Sequence, residues 1–474
     1  LIFPQDEHGM AEHQIVNHPI YGAGQLLRTT RGGYLWEVAF TSGRRYVLPY
    51  HQFDGAHIEA FSSDRQFVPP RPTPDTDEFR DRQTLEALRF GVVPVQNVRD
   101  LTIGLETERA NMERALLRTI EHGGDSMAII ADYGFGKSHF IELTAQAALA
   151  RNFIVASASL DLVEVPPSKA REIYRALLTS LRYPPEGTHD GIKTLLRAAV
   201  QKPEIVDYIH DHKPIDHCPL SAALTALANC PSQTAHEDLI NWLAAQVKPT
   251  TDLKTCLKKP PPLYNNGEVA RQYAYLLSAI STLAVQLGYA GLAVLIDESE
   301  HYSLLRQPQK DRADALFKTL IVAAGGAGRG RINPDSIPVD PRAYGTYPLQ
   351  FSGQSRLFFM FASTESDSRM PIETWLSPAQ VVRLDDRFLK EDINKFLKMV
   401  LRYHSVAYHY IPLRERYESL VTNVSAMLSR TLSQHRINIR ELIRYAVTVC
   451  DLMFVHQDYL PVELESELAL GLGM

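Results

Sequence analysis

The spacing of apolar positions changes several times along this chain, and the changes divide it. Between residues 15 and 54, short runs alternate apolar with polar, as in Tyr34-Leu35-Trp36-Glu37-Val38-Ala39-Phe40 and Arg45-Tyr46-Val47-Leu48, with glycine and serine between them. A period of two in short stretches bounded by turn residues predicts strands. About five strands within roughly 40 residues predict a small barrel of SH3-like or Tudor-like shape over residues 1–66, because a lone hairpin is marginal in water. The run Val68-Pro69-Pro70-Arg71-Pro72-Thr73-Pro74-Asp75 predicts an extended tether over 67–78.

From residue 79 the period becomes helical, with Leu85 and Leu88, then Leu116, Leu117 and Ile120, spaced for an apolar stripe. Met127-Ala128-Ile129-Ile130 reads as a strand, Phe140 to Ala150 as a helix and Phe153-Ile154-Val155-Ala156 as a second strand. Strands that alternate with helices predict a parallel sheet covered on both faces, an αβα sandwich spanning 79–388. Residues 186–275 are helical in pattern but broken by Pro203, Pro214, Pro219, Pro231 and Pro260-Pro261-Pro262, and are expected to be a helical insertion. Strands resume at Ala293-Val294-Leu295-Ile296 and Leu357-Phe358-Phe359-Met360-Phe361, and 389–474 stays helical, as a lid would.

Composition narrows the class. Apolar residues make up 45% and charged residues 22% of the 474 positions, ordinary soluble usage, and no run of about 18 apolar residues offers a membrane span. No membrane partner and a cytoplasmic location are therefore expected. The four cysteines, Cys218, Cys230, Cys256 and Cys450, are too few and too scattered for a disulfide framework, which suits a reducing compartment. His212, His217, Cys218 and Cys230 match no zinc spacing. A formal charge of -6 gives no general attraction to a polyanion, so DNA contact requires a local basic patch.

The sharpest chemical signal is Ala131-Asp132-Tyr133-Gly134-Phe135-Gly136-Lys137-Ser138, which follows one predicted strand and opens a predicted helix. In that setting the backbone N–H groups from Gly134 to Ser138 converge on a β-phosphate at the positive helix end. Lys137 is expected to bridge the β- and γ-phosphates of ATP, and the Ser138 hydroxyl to bind Mg2+. The nucleotide contacts are thus assigned to Asp132, Tyr133, Gly134, Phe135, Gly136, Lys137, Ser138 and the adjoining His139. Ala131 stands where the pattern usually has glycine, which is tolerable if its φ is negative.

Leu292-Ala293-Val294-Leu295-Ile296 ends in Asp297-Glu298, a buried strand delivering two acids to its C-terminal edge. Asp297 is the second Mg2+ residue and Glu298 the base that orients and deprotonates water, which favours hydrolysis over transfer to another molecule. Glu300 and His301 follow, suited to polarising that water or touching a neighbouring subunit. After the strand Leu357–Phe361, Ser363 or Thr364 is the candidate γ-phosphate sensor, against the alternative of a helix N-cap. Arg440, within Arg436-Ile437-Asn438-Ile439-Arg440-Glu441-Leu442, is the candidate lid arginine that makes lid angle depend on nucleotide, against a surface ion pair. Arg329 and Arg331 in the loop Gly325–Arg331 suit DNA phosphates, a neighbour's nucleotide or solvent, and Arg387 is a further finger candidate.

These motifs resemble the AAA+ ATP-binding proteins of bacterial anti-phage islands, in particular the BREX-system ATP-binding proteins and relatives encoded beside superfamily 2 helicases. The resemblance covers most of 80–450 and rests on Leu85-Glu86-Ala87-Leu88-Arg89-Phe90-Gly91-Val92-Val93-Pro94, Gly104-Leu105-Glu106, Tyr133 to Phe140, Tyr174-Arg175, Asn266-Gly267-Glu268 and Leu295-Ile296-Asp297-Glu298. It implies an α/β P-loop NTPase of AAA+ type that works with DNA-acting partners: a helicase, with a methylase or sensor subunit beside it. A homo-oligomer is left open. The segment from Val16 to Gly24, with Trp36 to Phe40 and Gly43-Arg44-Arg45, resembles the Tudor-like domains of DNA-repair helicases and transcription-coupling factors. Arg28, Arg31, Arg44 and Arg45 among aromatics suit nucleic acid or a plain docking role. A STAND-like nucleotide switch with little turnover is the alternative to the ATPase.

Overall fold

A computed structural model describes residues 15–19, 21–30, 35–49, 53, 76–185, 188–263, 270–325, 330–337, 347–364, 370–384, 390–410, 421–426 and 439–455. The chain divides into two compact units, Leu1–Thr73 and Pro74–Met474.

The first unit is an antiparallel meander of β1 (Ile15–His18), β2 (Gly22–Thr30), β3 (Leu35–Phe40) and β4 (Arg45–Pro49), paired in chain order. The alternation seen in the sequence is realised: Trp36, Val38 and Phe40 share one buried face with Val16, Leu26 and Phe53. Four strands, against the five expected, occur among the described residues, and barrel closure is not part of their pairing. Gly24 is needed for the close packing, since a Cβ there would lie 2.6 Å from Val38 Cγ1 and 2.9 Å from Phe40 Cδ1. Arg44 and Arg45 are exposed, whereas Trp36 and Phe40 are core. The Pro69–Pro74 tether and Arg31 lie outside the described residues.

The second unit is built on a seven-stranded sheet. Its strands are β5 (Gly124–Ile130), β6 (Phe153–Ser159), β7 (Arg182–Tyr183), β8 (Thr188–His189), β9 (Gly291–Asp297), β10 (Leu357–Ser363) and β11 (Val381–Arg383). They lie in the order β11-β5-β10-β9-β6-β7-β8, parallel from β11 through β6 and antiparallel beyond. Apolar side chains along β5, β9 and β10 are buried on both faces, as parallel strands between helical layers require.

The helices are α1 (Asp77–Phe90), α2 (Glu106–His122), α3 (Lys137–Ala150), α4 (Ala170–Thr179), α5 (Lys193–Val200), α6 (Pro203–Asp211) and α7 (Pro219–Asn229). They continue with α8 (Gln233–Leu243), α9 (Thr251–Cys256), α10 (Ala270–Gln286), α11 (Gln307–Ala323), α12 (Ile372–Trp375), α13 (Lys390–Ala407) and α14 (Ile439–Val455). One sheet face packs Met127, Ile129, Val155, Leu295, Phe358 and Met360 against α2 and α3. The other packs Ile154, Val294, Ile296, Phe359 and Phe361 in a core shared with α4, α10, α11 and the helices α5–α9. The proline-broken segment is thus an extension of one layer. Within α2, Leu116 is buried while Leu117 is 46% exposed, so only the former joins the expected stripe.

A third core departs from linear order. Leu85 and Leu88 of α1 pack with Ile393, Phe396 and Leu397 of α13 and Leu442 and Ala446 of α14. Arg89 and Asp451 pair at 2.8 Å, buried His404 contacts the same carboxylate at 3.0 Å through Nε2, and Arg82 donates to the Ala407 carbonyl at 2.8 Å. The helix that opens the second unit therefore packs with the helices near its end. Cys230 and Cys256 are joined as a disulfide with Cα atoms 5.4 Å apart, correcting the expectation of scattered thiols. Packing of α7, α8 and α9 brings the C-cap of one helix to the last residue of another. Among the described residues, no helix is long and apolar enough to cross a membrane.

Gly124 has no room for a side chain, because a Cβ would lie 1.3 Å from the Ala324 carbonyl oxygen. Gly124→Ala must push the end of α11 from the start of β5, and is expected to destabilise the second unit by about 3 kcal/mol. The midpoint of urea unfolding measures this.

Candidate nucleotide site

The strand order places the phosphate-binding loop and the two acids at one sheet edge with β10 between them. Parallel pairing sets Ile130 opposite Ser363 and Phe361 opposite Ile296, so β5, β10 and β9 end together. Ala131 continues the pairing by donating to the Ser363 carbonyl at 3.2 Å. Non-glycine residues with positive φ in the described chain are Leu105, Asn152, Ala245, Glu298 and His409, so Ala131 adopts no conformation that demands glycine. Gly134 and Gly136 do, at φ +85° and +88°, turning the loop into α3. The first amides of α3 have no intrahelical acceptor and face the loop, as an anion site requires.

Lys137 is buried, its ammonium donating to the Ala131 carbonyl at 3.1 Å, the Asp132 carbonyl at 3.3 Å and Thr364 Oγ1 at 3.0 Å. The two sensor candidates separate by strand alternation. Phe358, Met360 and Ala362 face the α3 layer, so Thr364 follows on that side and reaches Lys137. Ser363 falls on the opposite, buried face with Phe359 and Phe361.

Asp297 Oδ1 accepts the Glu298 amide at 2.8 Å. Glu298 takes a left-handed φ of +58°, an unusual backbone for this residue type, and its Oε2 accepts from Ser159 Oγ at 3.0 Å. Ser159, the last residue of β6, was not anticipated; its only sequence signal is a polar residue closing a buried strand. His301 lies on the turn after Glu298, and the Glu300 side chain is outside the described residues.

A cleft joins these groups: Tyr133 to His139, Asp297, Glu298 and Arg440 line its polar side. Leu88, Val92, Val93, Pro94, Leu101, Ile103, Leu105, Phe396, Ile439 and Ile443 line the other. The split between an apolar wall and a few convergent polar groups is that of a small-molecule site. The apolar wall was missed, although Val92 and Val93 in a loop beside Gly91 were a usable signal. Asp132 contributes its carbonyl to Lys137 while Phe135 packs half-buried on the α2–α3 core. Arg331 is tied to the segment at α12, donating from its backbone to the Trp375 carbonyl at 2.7 Å, away from the groups that line the cleft. Arg329, Arg387 and Asn266-Gly267-Glu268 lie outside the described residues.

The donor set fits a magnesium nucleotide. Ser138 offers an exposed hydroxyl and Asp297 a carboxylate in one cleft, hard oxygen donors of the kind that hold Mg2+ together with phosphate oxygens. Among the described residues no group of three or more His, Cys, Asp or Glu side chains is arranged for a separate metal.

A parallel sheet with a glycine-turned phosphate loop and acids on a nearby strand defines an α/β protein of P-loop type. Residues 77–202 match the family model of the BREX system ATP-binding protein BrxC/D. The match takes in α1, the phosphate loop, β6 and α5. Among solved structures the chain is similar to a Walker-type ATPase of Pyrococcus abyssi, at 11% identity and a TM-score of 0.34, over 78% of this chain and 73% of that one. No curated protein matches the chain.

His139 is half-buried with Nε2 2.9 Å from Thr102 Oγ1, and burial lowers its pKa to about 4. The folded chain therefore binds fewer protons than the unfolded chain between about pH 6.5 and pH 4, so His139 costs stability progressively as pH falls through that window. By pH 5 the loss is on the order of 2 kcal/mol. Urea titrations at pH 7.5 and 5 should show a smaller acid loss in His139→Gln than in the unaltered chain.

Proposed function

We propose that this chain binds ATP with magnesium and hydrolyses it as the ATPase of a BREX-type anti-phage defence system in the cytoplasm. The observation that carries the reading is the convergence of Lys137, Ser138, Asp297 and Glu298 on one cleft, with Thr364 bonded to Lys137. Amides of Gly134 to Ser138 and the Lys137 ammonium take the β- and γ-phosphates, and the adenine lies against the wall of Val92, Val93, Pro94 and Ile439. Ser138 and Asp297 would hold the ion, which when bound would neutralise phosphate charge. Glu298 accepts a proton from water as its oxygen bonds to the γ-phosphorus and the bond to the bridging oxygen breaks, leaving ADP and phosphate. Thr364 keeps the lysine aimed at the transferring group.

Because Leu88 of α1, Phe396 of α13 and Ile439, Arg440 and Ile443 of α14 line the cleft, bound nucleotide would set the angle of these helices to the sheet, and that motion would control a DNA-acting partner such as a superfamily 2 helicase, with a methylase or sensor subunit alongside. DNA contact through Arg329, Arg331 or the N-terminal sheet, and a homo-oligomer, belong to the same proposal. A second reading, a STAND-like switch or scaffold with rare turnover that recruits partners through the N-terminal unit, is favoured by one contact: Ser159 occupies a carboxylate oxygen of Glu298.

Steady-state turnover with and without DNA separates them. Glu298→Gln is expected to keep ATP affinity and lower turnover by at least about 100-fold, while Lys137→Ala weakens ATP binding itself. DNA-stimulated turnover supports the ATPase that drives a partner. Tight binding with negligible turnover supports the switch, and wild-type turnover in Glu298→Gln contradicts the assigned base.

A further inference from the structure

Tyr133 is the one large exposed side chain within the phosphate loop, 67% accessible where neighbouring residues turn toward the cleft or the core. Its ring and hydroxyl meet Arg440, from the far end of the chain. The Arg440 guanidinium lies with Cζ 4.9 Å from the ring centroid, and Nη1 donates to the phenol oxygen at 2.5 Å. The stem of Arg440 runs against Gly91, the left-handed C-cap of α1, where a Cβ would sit 3.0 Å from Cγ and 3.1 Å from Cδ. Ring, hydroxyl and bare backbone therefore fix the stem, plane and one edge of the guanidinium at the rim of the cleft.

We propose that Tyr133 is a positioning residue that holds Arg440 so that its remaining N–H donors address the terminal phosphate of a nucleoside triphosphate, making the chain distinguish tri- from diphosphate. The proposal rests on the nucleotide reading above. An arginine has five donors in a rigid planar fork, so one edge bound to a phenol leaves others to offer to phosphate oxygens. A flexible arginine without that clamp pays ordering entropy on binding, whereas a clamped one is already oriented. The contact also has a mechanical consequence. Tyr133 belongs to the loop between β5 and α3, and Arg440 to α14 in the helical layer of α1, α13 and α14, so the clamp ties that layer to the phosphate loop at the rim of the cleft. Gly91 makes the approach possible, which gives a reason for the glycine beyond capping α1.

The test is a double-mutant cycle in the full chain with fluorescent ADP and the fluorescent β,γ-imido analogue of ATP. Arg440→Ala should lower affinity for the triphosphate analogue by at least about tenfold, the effect of losing a charged hydrogen bond, and leave ADP affinity unchanged. Tyr133→Ala should reproduce most of that selective loss, Tyr133→Phe should lose less because the ring remains, and Tyr133→Ala/Arg440→Ala should be no worse than Arg440→Ala alone. Equal losses for both nucleotides in Tyr133→Ala, or losses that add in the double variant, would overturn the assignment. If the unaltered chain binds neither nucleotide, the underlying reading fails instead.

Discussion

The site depends on the register of three parallel strands. Pairing of β5, β10 and β9 ends the phosphate-loop strand, the strand that leads to Thr364 and the acidic strand together, with Ala131 and Ser363 still hydrogen-bonded at the edge. A slip of one residue in β10 would exchange its faces. Thr364 would then leave Lys137 and Ser363 would take its place, while Phe359 and Phe361 would be driven into the α2–α3 layer. Burial of large side chains on both faces therefore holds the polar tip in place, and the chemistry at the edge depends on apolar packing beneath it.

The second constraint is that the cleft has walls of different origin. The sheet edge supplies charge and hydrogen-bond donors; the segment between α1 and α2, with residues of α1, α13 and α14, supplies apolar surface, and α14 supplies Arg440. The polar ties within that layer, Arg89 to Asp451 and His404 to the same carboxylate, join sequence-distant helices into one body. The Tyr133–Arg440 contact lies where this body meets the loop. A ligand that touches both walls has the means to bias their relative angle, which is the physical requirement for nucleotide-dependent movement.

Much of this was legible because the phosphate loop and the Asp297-Glu298 strand are local signals. Each needs only a strand, a glycine turn or a pair of acids in sequence, and the alternation of strands with helices gives the sandwich. What was not legible is long-range. The stripe of Leu85 and Leu88 says that α1 buries a face but not that it does so against α13 and α14. Choosing Thr364 over Ser363 requires knowing which sheet face α3 covers. The short edge strand β11 has three residues, too few for periodicity to register, and the Cys230–Cys256 pair depends on how three helices pack. In the N-terminal unit, alternation found the four described strands and their shared buried face.

The proposed chemistry requires Lys137 and Asp297 to act on the same nucleotide. Calorimetric titration of ATP with and without magnesium, on the unaltered chain, Lys137→Ala and Asp297→Asn, addresses this directly. Magnesium should strengthen ATP binding to the unaltered chain, and Asp297→Asn should remove that gain while keeping the magnesium-free affinity, with Lys137→Ala weakening both. A magnesium gain of full size in Asp297→Asn would contradict the proposed convergence.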